Sequence, residues 1–244
     1  MKIERLYPKC KDYIWGGTRL ITEYSKKTEL SPCAESWELS FHPDGKTELE
    51  GGAALADSVT DAELGTNVSG FEGFPTLIKF IDAEADLSVQ VHPDDAYASR
   101  VENDSGKTEA WHIISAREGA KIIYGLREGT TRKSLERAIK DGNVESVMKY
   151  QNVCAGETYF IPAGMVHAIG EGILIAEVQQ NSDLTYRLYD YNRVGADGKP
   201  RELHIKKSLD VARTFDDKQI DALRFSRGKT LESGELLVNS EYFQ

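Results

Sequence analysis

Ten residues constrain this chain more than any other stretch: Asp86-Leu87-Ser88-Val89-Gln90-Val91-His92-Pro93-Asp94-Asp95. They alternate with a period of two. Leu87, Val89 and Val91 therefore share one face of an extended strand, and Ser88, Gln90 and His92 share the other. The apolar face seats the strand on a core. The opposite face sends an amide and an imidazole into the same space. Pro93 removes a ladder donor and ends the strand.

The same pattern recurs along the chain. Ala34–Ser40, Pro75–Asp82, Lys107–Ile114, Lys121–Gly125, Gly156–Ile161 and Thr185–Asp190 read as strands. Ile173–Val178 is nearly continuously apolar, as a strand buried on both faces is. Pro43-Asp44-Gly45 and Pro162-Ala163-Gly164 punctuate them as turns, and Gly16-Gly17 after Trp15 marks a tight turn or a close backbone approach. Helical spacing is confined to insertions. A short helix is expected around Thr60–Leu64. Leu135, Ala138 and Ile139 make a helix that Thr131 caps and Gly142 ends, and Val144, Val147 and Met148 carry a further turn or two. His204–Phe215 is an amphipathic helix through Ile205, Leu209 and Ala212. Glu235–Val238 and Glu241–Phe243 are strand-like again. Many short strands with Gly/Pro turns and helices only in insertions predict a sandwich or jelly-roll barrel.

Charge narrows the function. The net charge is -10 and the sequence pI about 5.1, with no Lys/Arg-rich run. This argues against nucleic acid and anionic membrane as partners. An anionic metabolite remains possible, given local positive charge at its site. Cys10, Cys33 and Cys154 are odd in number and scattered, so neither a disulfide framework nor a thiolate zinc site is expected. Met1–Arg5 is followed by no apolar targeting segment, and no run approaches the ~18 apolar residues of a membrane span. A reduced, cytoplasmic protein is expected.

Of the five histidines, His112 reads as structural, and His42 and His204 as surface residues of a turn and a helix start. His92 and His167 differ: each sits at or beside a strand terminus next to a proline turn. With Gln90 beside His92, and Glu109 as the favoured carboxylate, they form a donor set for a borderline divalent cation such as zinc.

Four segments then occur together and in order: Leu87–Asp95, Lys107-Thr108-Glu109, Ile161–Ala168 and Gln180–Arg187. With Trp15-Gly16-Gly17 and Glu35-Ser36-Trp37-Glu38, this combination resembles the type I mannose-6-phosphate isomerases, in particular the short bacterial form, from about residue 6 onward. The resemblance implies a mainly β cupin jelly roll (double-stranded β-helix) with a small helical insertion. It also implies one zinc per chain, or another divalent metal, held by Gln90, His92, Glu109 and His167. It implies interconversion of mannose 6-phosphate and fructose 6-phosphate through an enediol(ate), with Arg187 as the active-site arginine and Ser88 and Lys107 beside the substrate. Glu177 and Asp183 match two acidic positions before the arginine, and either is a candidate proton carrier. Glu177 reads equally as a group that orients a ligand histidine. The expected layout is a metal-binding catalytic domain over 1–129 and 151–192, a helical insertion over 130–150, a loop and connecting helix over 193–221, and over 222–244 the beginning of a second cupin-like domain whose last strands favour a dimer. Monomer or homodimer are both expected. A degenerate sugar-binding module, or a cupin enzyme acting on another phosphosugar, are the alternatives.

Overall fold

The alternating runs become strands, and the polar face of the opening stretch turns inward. The computed structural model describes residues 3–68, 71, 73–195, 198–225 and 237–243. Among them the strands are β1 (Leu6–Tyr7), β2 (Lys9–Lys11), β3 (Glu35–Leu39), β4 (Glu48–Leu49), β5 (Thr76–Ala83), β6 (Val89–Val91), β7 (Glu109–Ala116), β8 (Lys121–Leu126), β9 (Met148–Asn152), β10 (Thr158–Ile161), β11 (His167–Ala168), β12 (Ile173–Gln180), β13 (Tyr186–Tyr189) and β14 (Arg224–Phe225). The helices are α1 (Arg19–Thr22), α2 (Leu55–Ser58), α3 (Asp61–Leu64), α4 (Asp95–Val101), α5 (Arg132–Lys140), α6 (Ile205–Val211) and α7 (Asp217–Ala222).

Two antiparallel sheets make the barrel. One runs β14-β10-β7-β12-β5-β3-β2 and the other β13-β6-β11-β8-β9, with β1 and β4 as a separate pair. The chain is mainly β and has the cupin jelly-roll architecture. Among the described residues, three apolar clusters hold it. The first fills part of the space between the sheets, where Ile81, Trp111, Ile113, Ile122, Tyr124, Tyr159 and Ile175 pack. The second lies outside the five-stranded sheet, where Val89, Val91, Ile123 and Leu188 meet Leu135 of α5 and Leu209 of α6. The third covers the outer face of the larger sheet with Leu20, Cys10, Cys33 and Leu174. The apolar face of Val89 and Val91 thus packs outward under helices, while Ser88 and His92, also buried, belong to the interior.

Local chemistry explains the elements. Thr131 caps α5 by accepting from Ser134 N, and Gly142 follows it at φ 68°. Gly17 approaches the Asp82 carboxylate so closely that a Cβ there meets Oδ2 at 2.4 Å. That carboxylate accepts from the Arg19 backbone N–H and from its guanidinium, both at 2.7 Å.

The structure departs from the sequence pattern in several places. Helical structure after α5 closes with a 3-10 turn over Val144–Val147, and Met148, expected in a helical turn, opens β9 instead. Met148 is apolar at a spacing that suits either element. The Asp94-Asp95 end of the opening stretch starts α4, because the Asp94 side chain accepts from Tyr97 N at 2.9 Å. The helix expected over His204–Phe215 stops at Val211, and a second one begins after the Asp216 cap. Leu237–Val238 and Glu241–Phe243 are not strands; Ser240 accepts from Tyr242 N and Phe243 N in a bend. Residues 235–236 of the first of those runs lie outside the described residues. His42 is buried rather than on the surface, because Gly45 lets the turn fold onto Trp37 and brings the two rings within 5.9 Å. His204 is half-buried and accepts from Arg187 N through Nδ1 at 3.2 Å.

Candidate metal centre

Strand pairing assembles the site. Gln90 on β6 pairs with His167 on β11 on one side and with Arg187 on β13 on the other, so these three side chains lie abreast. A bulge after Arg187 falls at this position. His92 follows Gln90 by two residues. Glu109, at the start of β7, comes from the opposite sheet. Gly164, at φ 88°, ties the two histidine-bearing segments together by donating its N–H to His92 O at 2.9 Å.

His92 Nε2 lies 3.1 Å from His167 Nε2, and each lies 3.4 Å from an oxygen of Glu109. All three side chains are buried. Each histidine uses its other ring nitrogen on a backbone carbonyl, His92 Nδ1 on Leu184 O at 2.7 Å and His167 Nδ1 on Met165 O at 2.8 Å. A carbonyl only accepts, so both Nδ1 atoms carry the proton and both Nε2 atoms present lone pairs to one point. Neither oxygen of Glu109 accepts a hydrogen bond among the described residues, although Lys107 Nζ is 2.9 Å from one. The nearest donors to the two imidazoles, Lys107 Nζ and Gln90 Nε2, stand off at 3.4 Å. Converging lone pairs and an unbonded carboxylate repel one another unless a cation sits between them. These residues can hold a metal ion. Exchanging the oxygen and nitrogen of the Gln90 amide puts its oxygen about where Nε2 stands, 3.4 Å from His167 Nε2.

Around this cluster lies a buried ion network. Lys107 contacts Glu109 and, at 3.7 Å, Glu177; Lys79 lies 3.2 Å from Glu177 and 3.4 Å from Glu35. Three carboxylates face two ammoniums, which leaves an excess negative charge out of water. Burial, then the Lys107 ammonium, push His92 down to about 3, and burial also pushes His167 down. Burial works against the charge on Glu109, yet the Lys107 ammonium holds that carboxyl well below its usual range. Burial and the Glu109 charge push the Glu177 carboxyl up. Burial opposes the charge on Lys79, but Glu177 and Glu35 hold it protonated.

A cleft of about 330 Å³ opens beside the cluster. Ser88, Gln90, Lys107, Glu177, Asp183 and Arg187 line it, so the structure brings the sequence-derived candidates to one place. Arg187 donates to Ser88 Oγ at 3.3 Å and to Glu202 O at 2.9 Å. Lys79, Glu35, Tyr13 and Arg201 also line the cleft and were not singled out from sequence. Lys79 carried a signal: like Glu177, it is a charge interrupting an apolar strand.

The model of the phosphomannose isomerase type I catalytic domain matches residues 3–133. The chain belongs to the type I phosphomannose isomerase family. Among curated members it is 43% identical to mannose-6-phosphate isomerase ManA of Bacillus subtilis, over 84% of this chain and 66% of that one. It is 42% identical to the mannose-6-phosphate isomerase of Streptococcus mutans, over 81% of this chain and 64% of that one. The match therefore spans about two thirds of the length of these phosphomannose isomerases. The crystal structure of the mannose 6-phosphate isomerase from Bacillus subtilis superposes with a TM-score of 0.78 at 38% identity, covering 85% of this chain and 68% of that one. Among the described residues no helix is long and apolar enough to cross a membrane.

Proposed function

We infer that this chain is a metal-dependent aldose–ketose isomerase that interconverts mannose 6-phosphate and fructose 6-phosphate. The observation that carries the reading is the meeting of two imidazole lone pairs and the Glu109 carboxylate behind Gln90 and Lys107, which line a cleft together with Arg187. The two named relatives supply the substrate.

His92, Glu109 and His167, with the Gln90 amide oxygen, hold one divalent cation. Two nitrogens and two oxygens suit zinc. When bound, the cation supplies Lewis acidity for the negative charge that develops on the sugar oxygens. This chain's own residues do the rest. The reaction takes a proton from C2 of the aldose and returns one to C1, while the carbonyl and hydroxyl oxygens exchange roles. Glu177 or Asp183 carries that proton, both being carboxylates on the cleft wall. Arg187, charged at every working pH, holds substrate oxygen in its fork. Ser88 and Lys107 donate to substrate hydroxyls or phosphate.

The test is a coupled assay on mannose 6-phosphate with metal content measured in the same samples. Chelation should abolish turnover and zinc should restore it. Turnover that persists in metal-free protein, or none in zinc-loaded protein, rejects the reading.

A further inference from the structure

Trp111 has its indole wholly buried in β7, directly across from Glu177 on β12. A buried indole N–H requires an acceptor. Here it donates to Glu177 Oε2 at 2.8 Å. The other oxygen, Oε1, accepts no hydrogen bond among the described residues and lies between Lys79 and Lys107, both of which line the cleft. The same ring meets the His167 imidazole edge-on, with centroids 5.4 Å apart and planes at 78°. Tyr159, its register partner on β10, lies on the other side. One rigid side chain thus touches both a carboxylate of the cleft and a histidine of the metal cluster.

The geometry points to Trp111 as a positioning residue that gives the two oxygens of Glu177 separate jobs. Oε2 is tethered to the indole. Oε1 is left to take the C2 proton of the aldose, the C–H electron pair forming the C1–C2 double bond of the enediolate as the carbonyl π pair moves onto O1. Oε1 then returns that proton to C1 while the O2 hydroxyl proton passes to O1 and the O2–H pair forms the C2 carbonyl. This assignment rests on the isomerase reading above and makes Glu177, rather than Asp183, the proton carrier. Trp111→Phe removes the donor and keeps an aromatic ring against His167. The untethered carboxylate is then free to rotate toward the two lysines.

The experiment compares wild type, Trp111→Phe, Glu177→Gln and the double variant as zinc-loaded full chains. Trp111→Phe should lower kcat about ten- to hundredfold. KM should stay within about twofold, because substrate contacts remain. Metal content should be unchanged, and the isotope effect with C2-deuterated mannose 6-phosphate should grow. In the Glu177→Gln background the same substitution should add nothing. An equal loss in both backgrounds, or kcat and KM moving together, makes Trp111 a core filler and overturns the proposal. Indole N–H spectra give a readout independent of turnover. The Trp111 signal, assigned by its loss in Trp111→Phe, should move in Glu177→Gln, and a fixed signal refutes the tether. If that signal moves but wild type does not convert mannose 6-phosphate, the isomerase reading falls, and the proton role of Oε1 with it, while the tether stands.

Discussion

The interior of the barrel has two ends, built on the same three strands. At one end Ile81, Ile175 and Ile113 stand in register across β5, β12 and β7, and Ala83 faces Ile173 one layer farther out. Two residues in the other direction, the register row is Lys79, Glu177 and Trp111, and beyond it Leu77, Gln179 and Glu109. Both ends are shielded from water. The first is stabilised by removing apolar surface from water, in proportion to area. The second puts charges where isolated ions are strongly disfavoured, and it is tolerable only because each faces an opposite charge. Three carboxylates against two ammoniums leave that balance incomplete. A cation held by His92, Glu109 and His167 would more than offset that excess.

The largest expected difference between the ends follows from that incompleteness. Substituting His92 or Glu109 by Ala should remove metal binding and lower turnover at least ~10³-fold, since the Lewis acid and the geometry it imposes go together. Metal content measured beside activity checks this. A variant that binds no metal yet keeps wild-type turnover would separate the cluster from the chemistry. At the apolar end the effect should reverse in kind. Ile175→Ala should destabilise the fold by about 2–5 kcal/mol, through lost burial and the cavity left behind. Its kcat in the surviving folded protein should stay near wild type. Chemical denaturation and the coupled assay on one preparation measure both. Equal losses in activity and stability there would show that the two ends are not separable.

A smaller and sharper contrast lies within the polar end. Glu177→Gln should lower kcat by roughly 10²-fold or more if Glu177 carries the proton. The amide has nearly the same shape and still accepts from Trp111, and it removes a buried charge, so the fold should tolerate it. Asp183→Asn should leave kcat within about threefold on the same assignment. The opposite ranking transfers the role to Asp183, and near-normal rates for both remove it from the two carboxylates altogether.

The apolar end was the easier to read from sequence, for a physical reason. Ile173, Ile175, Ile81 and Ile113 each sit in an alternating or continuous apolar run, and burial follows directly from period. At the polar end, period gave the face but not its surroundings. Ser88, Gln90 and His92 were recognisably on one side of a strand, yet a solvent-facing and a cavity-facing polar side have the same pattern. Only the second sheet, contributed far away in sequence, decides between them. Charges interrupting apolar strands were the usable signal. Glu177 and Lys79 both carry it, and the Lys79 ammonium joins Glu35 to Glu177. Element ends were the least legible part. Met148 has an apolar spacing that suits either element, so the pattern carries the helical turn into the first residue of β9, and Ala212 keeps the spacing of Ile205 and Leu209, so the pattern carries α6 past Val211.

The weakest contrast in energy is the response to pH, and it belongs to the polar end alone. His92 is pushed down to about 3 in the folded chain by burial first and Lys107 second, from an ordinary value of 6.5. Below about pH 6.5 the unfolded chain therefore binds a proton that the folded chain refuses, and stability must fall as the pH drops through that window. The slope is at most ~1.4 kcal/mol per pH unit for one such histidine. His167, also pushed down by burial, acts in the same sense. Glu109, held well below the usual carboxylate range, keeps its contribution through this window and loses it only at lower pH. Glu177 acts in the opposite sense: its carboxyl, pushed up by burial and the Glu109 charge, takes a proton more readily when folded. The histidines outnumber it, so metal-free protein should lose stability between about pH 7 and about pH 5. His92→Asn should flatten that slope, whereas Ile175→Ala should lower the curve by the same amount at every pH in the window. Denaturation midpoints of the three proteins across the window decide it. Parallel curves for wild type and His92→Asn would mean that His92 titrates alike in the folded and unfolded chains, and that its burial does not set its charge.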